Sequence, residues 1–303
     1  MDDIHDMNRQ EPEIPEFIIE HDDEPQEATF KRPTMPRWKR WVYRVSMLLG
    51  LLALMALALF AYKRWAYYHH IGVPITTSPQ ENIDKLKQPI QEETAEVVLT
   101  HDSILGVALD LYAIHGLRAS IEFVEPDTAD HSVFLYCRSA DHTPEGKYIG
   151  SLVAEGKELQ SDRSRLGYMA MADGQTVIGI SRSEKVKEYV MEHGGSFFRQ
   201  FILVSGGVIP PRFYLHGKVE RRAIGRMGDT LYYIATRHKE TLWDFADAIR
   251  EYGFIDAIYI TGGDGYGFYR TQEGTHHDIG NIDTYRQGKW QGITPWLVFR
   301  DRQ

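Results

Sequence analysis

An uninterrupted apolar run near the N-terminus is the feature that most restricts how this chain can fold. The 18 residues from Val45 to Tyr62 carry no charge, and a helix of about 20 residues crosses a hydrocarbon core of about 30 Å. Trp and Tyr side chains prefer the headgroup level of a bilayer. Such residues lie at both ends of the run: Trp38, Trp41 and Tyr43 at its N-terminal end, and Tyr62, Trp65, Tyr67 and Tyr68 at its C-terminal end. The run therefore predicts one transmembrane helix, at residues 41–65.

The residues that flank this run predict an uncleaved signal anchor with a cytoplasmic N-terminus. Lys63-Arg64-Trp65 follows the run, where a cleaved signal peptide would have small residues. Cytoplasmic flanks carry the excess of Lys and Arg, and more of them precede the run than follow it: Lys31, Arg32, Arg37, Lys39, Arg40 and Arg44, against Lys63 and Arg64. We expect a single-pass protein of a bacterial cytoplasmic membrane, with its C-terminal domain in the periplasm.

The acidic character of the chain belongs to its N-terminal tail. Residues 1–27 hold eleven acidic residues and one arginine, whereas the whole chain has a formal net charge of −9, so the remainder is close to neutral. Such a segment buries too little apolar surface to fold, and we expect residues 1–40 to be a disordered cytoplasmic tail with a basic juxtamembrane end. Two interpretations of Phe17-Ile18-Ile19 stay open: a docking motif for a cytoplasmic partner, or part of a tail that is only solvated.

Cysteine and histidine usage argues against a disulfide, a metal and a cofactor. The one cysteine, Cys137, ends the apolar run Val133–Cys137, which favours a buried apolar role over a catalytic thiol. An extracytoplasmic domain without disulfides is more typical of a bacterial envelope than of an animal cell surface. The histidines lack the spacing of metal ligands, and the sequence contains no Walker loop for nucleotide binding. The near-neutral charge of the domain disfavours binding of nucleic acid. We expect no metal, no cofactor and no nucleic-acid partner.

The remaining chain is expected to form a stalk, residues 66–100, and one folded domain, residues 101–303. Helical spacing predicts a helix over Ile104–Ile114, and capping-box sequences predict two more, starting near Ser181 and Thr241. Apolar and alternating runs predict strands over Ala119–Glu125, Ser132–Arg138, Tyr148–Ala154, Tyr168–Ala172, Gln175–Ile180, Phe198–Val204, Glu220–Gly225, Thr230–Thr236 and Ile255–Ile260. Asp173-Gly174 predicts a two-residue hairpin between the fourth and fifth of these strands, and Gly253 is predicted to end the helix that starts near Thr241. The predicted class is α+β, a mixed and mostly antiparallel sheet with a few packed helices.

A glycine-rich turn after the last of these strands is the first candidate site. Its sequence is Thr261-Gly262-Gly263-Asp264-Gly265, and glycines let backbone N–H groups approach a ligand closely. In one interpretation Asp264 is a catalytic acid or base. In the other, the segment is a tight β-turn in which Asp264 bonds to its own backbone. A dinucleotide-binding fingerprint is excluded, because that motif needs a helix directly after the glycines.

Two arginines in apolar surroundings form the second candidate. Arg222 lies near the start of the predicted strand Glu220–Gly225, and Arg199 follows two phenylalanines. A guanidinium group holds a phosphate through two parallel hydrogen bonds. An arginine at the start of a core strand is equally suited to pair with a protein carboxylate, so both roles stay open.

Five segments of the C-terminal half, in this order, resemble the phosphodiester glycosidase family. They are Leu203-Val204-Ser205-Gly206-Gly207, Arg222-Ala223-Ile224-Gly225, the hairpin strand Asp229–Ala235, Thr241-Leu242-Trp243-Asp244-Phe245-Ala246 and Ile260-Thr261-Gly262-Gly263-Asp264-Gly265. The resemblance covers about residues 165–300. It departs from the family at two places. Thr261 stands where the family has an aspartate, and the acid is found at Asp264, while residues 169–174 stand where the family has an asparagine-glycine-glycine segment.

The resemblance implies an envelope hydrolase that cleaves the glycosidic bond to a sugar-1-phosphodiester. Asp264 would then be the catalytic acid/base, since threonine does not titrate near neutral pH, and Arg222 would hold the phosphate. The other substrate-binding candidates, from the turn and from the second arginine, are Thr261, Gly262, Gly263, Gly265 and Arg199. The alternative is a non-catalytic relative whose cleft binds an envelope glycan or a protein partner.

Overall fold

The structure is a computed structural model that describes residues 36–70, 72–90, 93–139, 147–210, 217–263, 265–280 and 294–301. The chain divides into two compact units, residues 1–60 and residues 61–303. Helix α1 (Arg37–Tyr68) is long and apolar enough to cross a membrane, and none of its apolar stretch is buried within the protein. An apolar N-terminal helix of this kind is suited to serve as a membrane anchor.

Three shorter helices and sixteen strands follow within the described ranges. The helices are α2 (Pro79–Leu86), α3 (Lys185–Glu192) and α4 (Leu242–Tyr252). The strands are β1 (Glu96–Ile104), β2 (Val107–His115), β3 (Leu117–Glu122), β4 (Val133–Arg138), β5 (Leu152–Ala154), β6 (Lys157–Gln160), β7 (Gly167–Ala172), β8 (Gln175–Ile180), β9 (Ser196–Gln200), β10 (Ile202–Ser205), β11 (Arg221–Met227), β12 (Thr230–Thr236), β13 (Asp256–Gly262), β14 (Gly267–Arg270), β15 (His276–Ile279) and β16 (Trp296–Asp301).

These strands form three antiparallel sheets, which confirms the predicted class. Sheet 1 has the order β1-β2-β12-β11-β13-β10, sheet 2 the order β15-β14-β4-β16-β3, and sheet 3 the order β6-β5-β9-β7-β8. Every pairing between the described strands is antiparallel. Neighbouring strands are often close in the chain, because short hairpins suffice to join antiparallel strands.

One apolar core lies between the three sheets. Tyr112 and Ile258 of sheet 1, Leu135 of sheet 2, and Met169 and Phe198 of sheet 3 belong to the same cluster of buried side chains. Helix α4 covers the opposite face of sheet 1, while α2 and α3 cover the opposite face of sheet 3. Sheets 1 and 3 therefore bury both of their faces.

Strand β13 shows why a continuous apolar sequence marks a strand buried on two sides. Ile258 and Ile260 point into the core between the sheets, whereas Ala257 and Tyr259 pack on the side of α4. The strand then continues directly into the glycine turn, and this turn leads from sheet 1 to β14 in sheet 2.

The helix predicted over Ile104–Ile114 is wrong, because this segment forms the β1–β2 hairpin. Leu105 and Gly106 make its turn, with φ angles of 51° and 79°. Strand β2 faces α4 with Leu109 and neighbouring odd positions, and it faces the central core with Ile114 and other even positions. A strand buried on both faces has apolar residues at helical spacing too, so periodicity does not distinguish the two structures.

Within residues 66–100, which are expected to be a stalk, helix α2 packs against sheet 3. Helix α2 begins after Ser78, whose side chain accepts a hydrogen bond from the helix backbone, and Pro79 occupies its first turn. Proline is favoured at that position because its missing N–H is not needed there. Ile83 and Leu86 are buried with residues of sheet 3 and α3.

The hairpin predicted at Asp173-Gly174 is confirmed. It joins β7 to β8, and the two residues have φ angles of 53° and 75°. Such left-handed conformations are the reason that this dipeptide is favoured in two-residue hairpins.

The two predicted capping boxes have different outcomes. At α4 the Thr241 hydroxyl accepts the backbone N–H of Asp244 at 3.0 Å, and Gly253 ends the helix with a φ of 114°. At α3 the prediction is wrong, because the helix begins after Glu184 without a side-chain cap. The Ser181 hydroxyl instead accepts the N–H of Ser183 in the preceding loop.

Candidate functional site

The start of β11 and the end of β13 bring the first candidate site together. These strands are antiparallel neighbours, with Arg221 opposite Gly262. Side chains alternate between the two faces of a strand, so Arg221 and Arg222 point in opposite directions. Arg221 donates to the carbonyl oxygens of Gly217 and Glu240 and lies over the Tyr259 ring, and its role is structural.

Arg222 is the residue around which the glycine turn is built. Its guanidinium donates from Nη1 to the carbonyl oxygen of Gly263 and from Nη2 to the Glu220 carboxylate, both at 2.9 Å. The Arg222 side chain is 4% exposed, whereas that of Glu220 is 42% exposed. A buried cation is therefore paired with an anion that reaches solvent.

The glycines of the turn make room for this guanidinium. A Cβ atom at Gly265 would lie 2.6 Å from Arg222 Nη1, and one at Gly280 would lie 3.2 Å from Nη2. Gly263 has a φ of 64°, which favours glycine for conformational reasons. Any larger residue at position 265 would push the guanidinium away from its present partners.

The backbone donors of the turn are already engaged within the protein. The N–H of Gly263 donates to the carbonyl oxygen of Glu220 at 3.0 Å, and the N–H of Gly265 donates to that of Gly263 at 2.8 Å. Neither N–H group is therefore free to donate to a ligand in this arrangement, and the substrate-binding role of Gly263 and Gly265 stays a prediction. Of the groups described here, the guanidinium is the one suited to receive an anion.

Buried, neutral groups lie behind Arg222. Burial raises the pKa of the Cys137 thiol and the pKa of the Tyr233 hydroxyl, and the nearby charge of Arg222 opposes both shifts. The Arg222 side chain interacts with the Tyr233 hydroxyl, but neither Arg222 Nε nor this hydroxyl has a well-formed hydrogen bond among the described residues. Cys137 is buried, as predicted, with an exposed fraction of 1%.

The other predicted site residues have separate outcomes. Thr261 is 2% exposed within β13, and Gly262 is packed against Tyr259 and the Glu220 carbonyl. Asp264 lies outside the described residues. Sequence reasoning missed Glu220 and Gly280. Glu220 directly precedes the arginine pair, and this adjacency was a signal for it. Nothing in the sequence indicated Gly280.

Arg199 does not share this site within the described part of the chain. It is 2% exposed in β9 of sheet 3, and its guanidinium donates to the carbonyl oxygens of Leu166, Ser181 and Ser183 and to the Glu184 carboxylate. Burial lowers its pKa, and Glu184 opposes the shift. These contacts give Arg199 a structural role in holding the loop before α3.

Comparison with solved structures relates the fold to known proteins. A hypothetical protein from Synechocystis aligns with a TM-score of 0.51 and 10% identity, over 67% of this chain and 62% of that protein. The catalytic domain of zebrafish N-acetylglucosamine-1-phosphodiester alpha-N-acetylglucosaminidase, auto-inhibited by its pro-peptide, aligns with a TM-score of 0.48 and 12% identity, over 76% and 87% of the two chains. No protein-family model and no curated protein matches the sequence. The similarity concerns the fold alone, so the function is argued from the residues around Arg222.

Proposed function

We propose that this chain is a membrane-anchored hydrolase of sugar-1-phosphodiesters, with Arg222 as the phosphate ligand. One observation carries the proposal: among the described residues, the buried guanidinium of Arg222 forms an ion pair with only one carboxylate, that of the 42% exposed Glu220. A buried charge with few partners favours an incoming anion. The resemblance of the surrounding segments to phosphodiester glycosidases supplies the substrate class.

Phosphate binding at Arg222 would exchange one anion for another. Nη2 donates to Glu220, whose exposed side chain is able to rotate into solvent. A phosphate oxygen then takes the place of the carboxylate oxygen, while Nη1 keeps its hydrogen bond to Gly263. Charge-assisted hydrogen bonds of this kind are the strong ones in proteins, and here they would stabilise the phosphate group that departs.

The proposed reaction breaks the bond between the anomeric carbon and the phosphate oxygen. A water oxygen bonds to the anomeric carbon, the water gives up a proton, and the departing phosphomonoester keeps the electron pair of the broken bond. Asp264 is proposed as the base that receives the proton, because Thr261 has no titratable group near neutral pH. This role of Asp264 rests on the sequence and on the resemblance.

The test measures release of free sugar by the full chain, purified in detergent, from a panel of sugar-1-phosphodiesters. Arg222→Gln and Asp264→Asn should each lower turnover by about 100-fold, because the first removes a charge-stabilising group and the second removes the general base. Arg118→Gln and Asp229→Asn are the matched controls, because both residues are exposed and lie outside the site. Unchanged turnover in Asp264→Asn would show that this residue is not the general base. If the wild-type chain cleaves no substrate in the panel, the proposed hydrolase activity is wrong.

A non-catalytic glycan-binding protein is the second candidate, and Thr261 favours it. This residue holds the position at which phosphodiester glycosidases have an aspartate, and it is 2% exposed. Calorimetric binding of a sugar-1-phosphodiester without release of sugar, and loss of that binding in Arg222→Gln, would establish the binding function in place of hydrolysis.

The proposed setting is a bacterial cytoplasmic membrane, with the folded unit in the periplasm. Support comes from the length and apolar character of α1, from the excess of basic residues before it, and from the lack of disulfide-forming cysteines. The acidic tail would then lie in the cytoplasm, where Phe17-Ile18-Ile19 offers a short apolar segment to a protein partner.

A further inference from the structure

A basic pocket of about 210 Å³ lies in the second unit, next to the residues that directly follow α1. It is separate from the Arg222 site. Its lining residues include His70, Arg163, Arg165, Arg182, Glu184 and Arg199.

The pocket has more positive than negative charge. Four arginines line it against one carboxylate, that of Glu184. Glu184 is already shared, because its oxygens lie 3.1 Å from Arg199, 3.5 Å from Arg163 and 2.9 Å from Lys187. The cluster therefore has a local excess of positive charge, which an anion would reduce.

Two residues that line the pocket each have one buried side-chain nitrogen without a hydrogen-bond partner among the described residues. They are Nε2 of His70 and Nε of Arg199, and the Arg199 side chain is 2% exposed. Burial lowers the pKa of His70, a hydrogen bond with the Ser164 backbone opposes this shift, and the charges of Arg165 and Arg182 add to it. Unpartnered buried polar atoms are costly, and a phosphate has several acceptor oxygens.

Chain connectivity keeps this pocket near the end of the apolar run. His70 follows Tyr62 by eight residues, and at about 1.5 Å per helical residue this corresponds to about 12 Å. The hydrogen bond from His69 N–H to the Trp65 carbonyl continues the helix. Arg182 is tied to the same segment, because it donates to the carbonyl oxygen of His70 at 2.6 Å.

We propose that this pocket binds the phosphate of an anionic phospholipid in the leaflet at which α1 ends. Exposed Arg163 and Arg182 would make the first contacts, and the partly buried floor of the pocket would hold the phosphate oxygens. A phosphate in solution has the same chemistry, but the short tether to α1 gives a lipid headgroup a far higher local concentration. The proposal is independent of the one made for Arg222.

The test uses the full chain in micelles of an uncharged detergent, with bound lipid counted by native mass spectrometry. Phosphatidylglycerol should bind more tightly than phosphatidylcholine with the same acyl chains. The double variant Arg163→Gln/Arg182→Gln should weaken phosphatidylglycerol binding by about tenfold or more. Arg118→Gln/Lys157→Gln is the matched control, because it removes two exposed positive charges from a different groove and should leave binding unchanged.

Three results would overturn the lipid site. The first is equal binding of the two lipids, and the second is equal behaviour of the double variant and its control. The third is a rise in the wild-type thermal midpoint with inorganic phosphate, lost in the double variant, without preferential binding of phosphatidylglycerol. Arg163→Gln alone guards against a folding defect, because this side chain is 74% exposed and should still weaken lipid binding.

Discussion

At the scale of single residues, the guanidinium of Arg222 explains why the turn after β13 is rich in glycine. Its two hydrogen bonds go to Gly263 and Glu220, and it lies against Gly265 and Gly280. The glycines were predicted to bring backbone N–H groups to a ligand. They instead allow a buried cation to pack against the turn.

Substitution of Gly265 by alanine should therefore destabilise the protein. The new Cβ atom would lie 2.6 Å from Arg222 Nη1 and 2.8 Å from Cζ, so the guanidinium has to shift. Overpacking of this kind costs about 1–3 kcal/mol. The measurement is the unfolding midpoint in denaturant for the full chain in detergent.

Gly217→Ala is the control for this substitution. A Cβ atom there has no heavy atom within 4 Å, so the free energy of unfolding should change by less than about 0.5 kcal/mol. Equal stability of the wild type, Gly265→Ala and Gly217→Ala would contradict the close contact between Gly265 and Arg222.

At the scale of secondary-structure elements, turns and caps were predictable where their chemistry is local. Asp173-Gly174, Thr241 and Gly253 adopt the expected conformations, because each depends on a few neighbouring residues. The segment Ile104–Ile114 was mistaken for a helix, since its burial on two faces depends on sheets formed by distant parts of the chain.

The packing of α2 gives a test of whether residues 66–100 belong to the folded unit. Asn82 is 3% exposed and donates to the Tyr168 hydroxyl at 2.7 Å. Asn82→Ala removes this buried hydrogen bond and should lower the free energy of unfolding by about 1–3 kcal/mol. Gln80→Ala, two residues away and exposed, should have almost no effect. If both substitutions have equal and negligible effects, the result favours the prediction that residues 66–100 form a stalk.

At the scale of the whole molecule, the open prediction is the orientation of α1. The charge distribution predicts a tail in the cytoplasm and a folded unit outside it. The one native cysteine, Cys137, is 1% exposed, and burial raises its pKa, so a maleimide should not react with it in the folded protein. An introduced cysteine can therefore report orientation without a background signal.

We expect a membrane-impermeant maleimide to label Lys239→Cys in intact spheroplasts, because this position is exposed in the folded unit. Gln26→Cys, in the tail, should be labelled only after the membrane is permeabilised. Labelling of the tail variant in intact spheroplasts would show the opposite orientation. The parent chain, with Cys137 alone, should stay unlabelled until it is denatured.

The sequence alone determined the features that depend on neighbouring residues: the apolar helix α1, the hairpin turns, the cap of α4 and the mostly antiparallel α+β class. The tertiary structure decided which distant residues meet. Arg199 and Arg222 have similar apolar surroundings in the sequence, yet one holds a loop in sheet 3 and the other organises the glycine turn. Turns, caps and apolar runs depend on neighbouring residues, whereas strand order and register determine which distant residues each face of a strand contacts.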